Sequence, residues 1–206
     1  MAITTYAELQ SSVGDWLNRS DLTSVIKDFI VVAESEFRRT IRHRKMITRS
    51  DATFDREYSA TPPDWYQTVS LILKTDPVRP LEYVTNEAMH DLKNTSSATG
   101  KPRYFTHVGD EIQVFPVPDG DGYSGELVYY AKLPALSDSA TSNWLLDLAP
   151  DIYLYGTLKQ SAPYLRDDER TGMWVQLYQK GIDDLVISDQ RTRGQTSVRM
   201  KARALQ

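Results

Sequence analysis

Apolar residues near the start of the chain recur at steps of three and four. Tyr6, Leu9, Val13 and Trp16 share one helical face. Thr5-Tyr6-Ala7-Glu8 has the spacing of a capping box, in which Thr5 and Glu8 each satisfy a free backbone N–H. Asn18-Arg19-Ser20-Asp21 interrupts the pattern and offers new N-caps. A longer helix is expected from Leu22 to Arg44, with Leu22, Ile26, Phe29, Ala33, Phe37 and Ile41 as its buried stripe. The short link between the two predicts an antiparallel pair.

From Met46 the period shortens. Met46–Phe54 and Val69–Lys74 read as strands around the turn-rich Ala60-Thr61-Pro62-Pro63-Asp64. Pro80–Val84 predicts a short strand, and Thr85-Asn86-Glu87-Ala88 caps a short helix that ends near Lys93. Tyr104–Val108 and Glu111–Phe115 form a hairpin around Gly109-Asp110, and Glu126–Lys132 is a further strand rich in Val and Tyr. The total is five or six strands. Pro134–Ser142 is Ser/Ala-rich and reads as a linker. Ala149-Pro150-Asp151 then opens a third long helix, apolar almost all round (Ile152, Tyr153, Leu154, Tyr155, Leu158) and ended by Pro163. Asp167, Asp168 and Glu169 open a fourth, with Trp174, Tyr178, Gly181 and Leu185 on one face, fading near Asp189.

Neither helix pair buries its stripe alone, so the economical packing joins them. The expectation is an α+β fold: a discontinuous antiparallel helical bundle from 1–45 and 147–190, an inserted small β-rich domain at 46–133, a linker at 134–146, and a flexible C-terminal tail at 191–206.

Composition narrows the function. At 206 residues, 40% hydrophobic and 25% charged, the usage is that of an ordinary globular chain. No stretch is apolar enough to span a bilayer, and MAITTYAELQ lacks the features of a signal peptide, so no membrane partner is expected. The absence of cysteine excludes disulfides and thiol chemistry and fits synthesis in a reducing cytoplasm. His43, His90 and His107 lie in separate elements without metal-ligand spacing. No phosphate loop, dinucleotide fingerprint or nucleophile elbow occurs, and Gly120-Asp121-Gly122 reads as a plain turn. The chain is read as non-catalytic, without cofactor or metal.

Charge changes the picture. The net charge is −4, but Arg191–Gln206 holds five basic residues and no acidic one, leaving 19 basic against 28 acidic residues in 1–190. A second basic segment runs through Arg38, Arg39, Arg42, Arg44 and Lys45. It suits intersubunit or phosphate contacts, and equally a solvated helix end, where cations are favoured and Glu34 and Glu36 lie one turn back. In the tail, Val198, Ala202 and Leu205 recur at helical spacing among Arg199, Lys201 and Arg203. That pattern fits a disordered end or a helix formed on docking.

Several strings, in order, carry a resemblance. They are Tyr6-Ala-Glu-Leu-Gln10, Trp16-Leu-Asn-Arg-Ser-Asp-Leu22, Phe29-Ile-Val-Val-Ala-Glu-Ser-Glu36, Pro80-Leu-Glu-Tyr-Val-Thr85 and Pro102-Arg-Tyr104. They continue with Tyr129-Tyr-Ala-Lys-Leu-Pro-Ala-Leu-Ser137, Asn143-Trp-Leu-Leu146, Ala149-Pro-Asp-Ile-Tyr-Leu-Tyr-Gly156 and Ala162-Pro-Tyr-Leu-Arg-Asp-Asp-Glu-Arg170. Over residues 5–190 the chain resembles the adaptor, or head-to-tail connector, proteins of tailed bacteriophages, including the tubular adaptors of short-tailed phages.

The resemblance implies a virion protein of the neck, a ring of commonly twelve copies beneath the portal protein. It would present a platform to the tail (nozzle) protein and pass duplex DNA without binding it specifically. It also implies a C-terminal segment that docks on the portal, which assigns that role to Arg191, Arg193, Val198, Arg199, Lys201, Ala202, Arg203 and Leu205. The alternative is a nucleic-acid-binding module using Arg38–Lys45 and the basic tail.

Overall fold

The computed structural model describes residues 3–165 and 170–203, with side chains as far as residue 192. The fold is α+β. The chain divides into two units, one made of the residues up to Lys45 together with those from Leu133 onward, the other of Met46–Lys132.

In the first unit, α1 (Tyr6–Leu17) begins with the expected reciprocal capping box between Thr5 and Glu8. It buries Tyr6, Leu9, Val13 and Leu17, whereas Trp16 is 41% exposed and meets Tyr155 edge-on at 5.7 Å. Asn18 ends the helix in the left-handed conformation (φ 53°), its N–H donating to the carbonyls of Asp15 and Gly14. It therefore serves as a C-cap, not as the expected new N-cap. The next helix, α2 (Thr23–Thr40), starts at Leu22 with no side-chain cap and stops four residues before the expected Arg44. The stop has a chemical cause. The Arg42 guanidinium donates to the carbonyls of Arg38 (3.0 Å) and Ile41 (2.6 Å), satisfying acceptors that a continued helix would have used.

The stretch 134–146, expected as a linker, carries the buried Leu136 and Asn143. Asn143 accepts from the N–H groups of Leu145 and Leu146 and so caps a short helix, α4 (Trp144–Leu148), that periodicity did not reveal. Then α5 (Pro150–Leu165) buries Ile152, Tyr153, Leu154, Gly156, Thr157, Leu158 and Ser161, as its all-round apolarity predicts. Pro163 was expected to end it but lies two residues inside. The hydrogen bond lost there falls in the last turn, where fewer bonds depend on it. Last comes α6 (Thr171–Arg203), 33 residues long. The acidic opening expected at Asp167, Asp168 and Glu169 lies outside the described residues. The expected fading near Asp189 and flexible tail from residue 191 are replaced, along the backbone to Arg203, by continued helix. Among the described residues, no helix is long and apolar enough to cross a membrane.

The second unit holds two four-stranded sheets and one helix. In chain order the elements are β1 (Ile47–Phe54), β2 (Tyr58–Ala60), β3 (Trp65–Leu73), β4 (Arg79–Pro80), β5 (Glu82–Tyr83), α3 (Asn86–Thr95), β6 (Tyr104–Val108), β7 (Glu111–Phe115) and β8 (Tyr123–Ala131). The sheets run β1-β8-β3-β4 and β2-β7-β6-β5, with all pairings antiparallel except β5–β6. The hairpin β6–β7 has its predicted bounds, and Thr85 caps α3 as expected. Eight strands replace the expected five or six: β2 is added, and the one strand expected at Pro80–Val84 is two short pieces, β4 and β5, in different sheets. Such pieces are too short to show an alternating period. The core between the sheets is Phe54, Leu71, Leu73, Leu81, Phe105, Ile112, Val114, Leu127 and Tyr129.

Candidate assembly surfaces

The longest element, α6, presents one buried row at steps of four, three, four and four: Trp174, Tyr178, Gly181, Leu185 and Asp189. Its packing against α5 is close enough that a side chain at Gly181 would press on its neighbours. A Cβ on Gly181 would stand 3.0 Å from the Asp151 carboxylate and the Ile152 side chain. Gly156 plays the same part on α5, where a Cβ would stand 2.7 Å from the Phe37 ring of α2. Phe37 in turn lies edge-on to Tyr153 (5.0 Å) and stacked on Tyr178 (6.0 Å), so α2, α5 and α6 meet at one aromatic cluster.

Asp189 closes the buried row. It is 5% exposed, and its Oδ1 accepts the Arg44 N–H at 3.4 Å, with His43 Nε2 at 3.7 Å and Arg44 Nε at 3.8 Å. His43 stacks on Trp144 at 5.3 Å. Because His43 Nδ1 accepts the Lys45 N–H, its ring proton sits on Nε2, on the Asp189 side. The carboxylate therefore ties the last buried turn of α6 to the residues that follow α2. Beyond it the helix continues without a buried residue at Gln190, Arg191 or Thr192.

The basic segment that spans the end of α2 is largely engaged within its own chain. Arg38 pairs with Glu34 (3.6 Å), Arg39 donates to Ser35 Oγ (3.0 Å), Arg42 caps α2, and Arg44 reaches Asp189. Lys45 is exposed. These contacts make helix termination the first use of the segment, which weighs against a phosphate-gripping role. Replacing Arg42 with alanine should lower the unfolding free energy by about 1 kcal/mol by freeing helix-end carbonyls, whereas Lys45→Ala should leave it unchanged. Denaturant midpoints of the two variants check this.

Of the residues assigned to docking, Arg191 is exposed on α6. Arg193, Val198, Arg199, Lys201, Ala202 and Arg203 lie on its backbone, with side chains outside the described residues. Leu205 lies outside the described residues altogether.

Two residues escaped the sequence reading. Glu34 is 1% exposed: its carboxylate accepts the Leu136 N–H (2.8 Å) and the Tyr153 hydroxyl (3.0 Å), while Asn143 donates to that hydroxyl (2.6 Å). Burial raises the Glu34 carboxyl above its usual value, and burial followed by the neighbouring carboxylate raises the Tyr153 hydroxyl. Asp189 is the other. Both had a signal, since Glu34 falls between Ile30 and Phe37 on the buried face and Asp189 lies one turn beyond Leu185.

A family model described as SU10 adaptor protein matches residues 4–201, nearly the whole chain. Comparison with curated proteins gave no match.

Proposed function

The chain belongs to the SU10 adaptor protein family, a family of phage head–tail adaptors, and from that premise we propose that it forms a ring beneath the portal protein and joins the capsid vertex to the tail. The ring holds about twelve copies by analogy with such connectors, receives the tail (nozzle) protein below, and continues the channel through which DNA leaves. The helical unit acts as a discontinuous antiparallel bundle, and residues 191–206 reach the portal.

The observation that carries the reading is the family match across both units and α6. Charge supports it. An acidic body repels phosphate and lets a duplex slide past, while a basic end is steered to an acidic groove on a partner. The length of α6 supports it as well, since the backbone runs on to Arg203, and among the described side chains Asp189 is the last buried one. A helix already formed at its root loses less entropy on docking than a chain that must order from residue 191.

The test is removal of residues 191–206, which keeps the buried row from Trp174 to Asp189. The truncated protein should lose only the helical signal of the residues removed and keep the full chain's unfolding midpoint, yet fail to co-sediment with portal rings. Equal portal binding by both forms would refute the assignment of the tail. Electron microscopy of full chain mixed with portal should show an added ring below it, and no added density would sink the adaptor reading itself.

A further inference from the structure

The two sheets of the β-unit have four edges, and three are blunted. Strand β4 has two residues, one of them Pro80, and the stretch of β3 that it leaves uncovered is interrupted by two register shifts; β5 has two; β2 has three and runs into Pro62-Pro63. Short edges and prolines deny a foreign strand its hydrogen-bond ladder. Strand β1 differs. It is eight residues long, contains no proline, and ends its sheet with β8 as its sole neighbour.

Its outward face carries a charge pattern with one side unmet. Arg49 and Asp51 are 78% and 73% exposed. Asp51 stands directly across from Glu126 of β8, a like charge; Lys74, just past β3, bridges the two, and Arg49 pairs with Glu126 at 3.4 Å. Adjacent like charges on a sheet are unfavourable, and a cation on the open side of Asp51 would relieve them.

We propose that β1 is a docking edge for β1 of a second copy of this chain, paired antiparallel about a two-fold axis at Ser50. In that register Arg49 faces Asp51 of the other copy twice over, Thr48 faces Ala52, and Ile47 faces Thr53. Outward residues meet outward residues, as the pleat requires. A shift of one residue in each strand either way sets Arg49 against Arg49 or Asp51 against Asp51. Charge thus selects the register as well as the partner. The result is one eight-stranded sheet across two copies.

The pairing does not rest on the adaptor reading. It bears on it, because a two-fold contact closes on itself and cannot propagate around a single ring axis. The pair would be a free form that opens before any ring is built.

Sedimentation equilibrium of the full chain should show a reversible dimer. Arg49→Glu, which enters the interface twice, should raise its dissociation constant about tenfold or more. Combining Arg49→Asp with Asp51→Arg should recover much of the loss. In this cysteine-free chain, Ser50→Cys should form a disulfide dimer under mild oxidation, with Ser70→Cys on β3 as the control that stays monomeric. Circular dichroism establishes that each variant is folded. A monomer throughout the concentration range, a dimer indifferent to Arg49→Glu, or equal cross-linking at positions 50 and 70 would overturn the proposal.

Discussion

Replacing Trp174 with alanine should cost the helical unit about 3–5 kcal/mol, the range for deleting a large buried aromatic side chain. Trp174 is fully buried and opens the buried row of α6, with the Arg170 guanidinium 5.1 Å from its ring centre. The surroundings are poorly able to collapse into the space left behind. Four turns of α6 are held in register by Gly181 against Ile152 and by Asp189 against Arg44, and these fixed points keep the helix from sliding inward. A rigid lining raises the cavity penalty. Trp174→Phe should recover roughly half of the loss by keeping a ring in the site. Chemical denaturation checks both variants, read by far-UV circular dichroism because the substitution removes a fluorophore. The denaturant dependence should keep its slope while the midpoint falls. A Trp174→Ala midpoint within error of the parent would show that α6 is not anchored at this end.

The second large effect concerns Glu34. Truncation to alanine leaves the Leu136 N–H without its acceptor and Tyr153 without its charged partner, both in the interior. Breaking a buried charged network in this way costs about 3–5 kcal/mol. Glu34→Gln is milder because its carbonyl can take the place of Oε1, the one oxygen that accepts both bonds. The same group makes a pH prediction. Burial raises the Glu34 carboxyl above its ordinary 4.5, against the opposing pull of the Leu136 N–H, the Tyr153 hydroxyl and Arg38. A raised folded value means that the folded protein holds this proton more tightly than the unfolded chain. The site's contribution is therefore complete below pH 4.5 and is lost as pH rises through the raised value. Exposed carboxylates such as Asp51 and Asp55, held below their ordinary values by Lys74 and Arg56, slope the other way, losing stabilisation as pH falls. The quantity to measure is the difference between the parent and Glu34→Gln from pH 4 to 8. The parent should gain relative to the variant toward acid, and parallel profiles would contradict the assignment.

Much of the fold could be read from the chain because local chemistry and global packing agree there. The Thr5–Glu8 box, the Thr85 cap, the β6–β7 hairpin and the row Trp174, Tyr178, Gly181, Leu185 all belong to this class. The misreadings share another cause. Where an element ends through a tertiary or side-chain bond, no Gly or Pro marks the place. Arg42 folding back onto α2 looks in sequence like one more helical cation, and Asn143 capping α4 looks like linker polarity. Glu34 and Asp189 were hidden by their charge. A carboxylate on a buried face is read as solvated unless its donors are known, and those donors lie 102 and 145 residues away in the chain. Of the candidate assembly residues, the basic segment was legible as a cluster but not as a helix terminator.

The discontinuity of the helical unit bears on how the protein is made. The β-unit is one unbroken stretch, Met46–Lys132, and can close as soon as it leaves the ribosome. Helices α1 and α2 emerge first but wait for α5 and α6, because Trp16 packs on Tyr155, Phe29 on Tyr164 and Phe37 on Tyr178. At bacterial elongation rates that wait is on the order of ten seconds. Throughout it Ile26, Phe29, Ile30, Ala33 and Phe37 have only α1 to cover them. Helices α1 and α2 are thus made before the β-unit and buried after it.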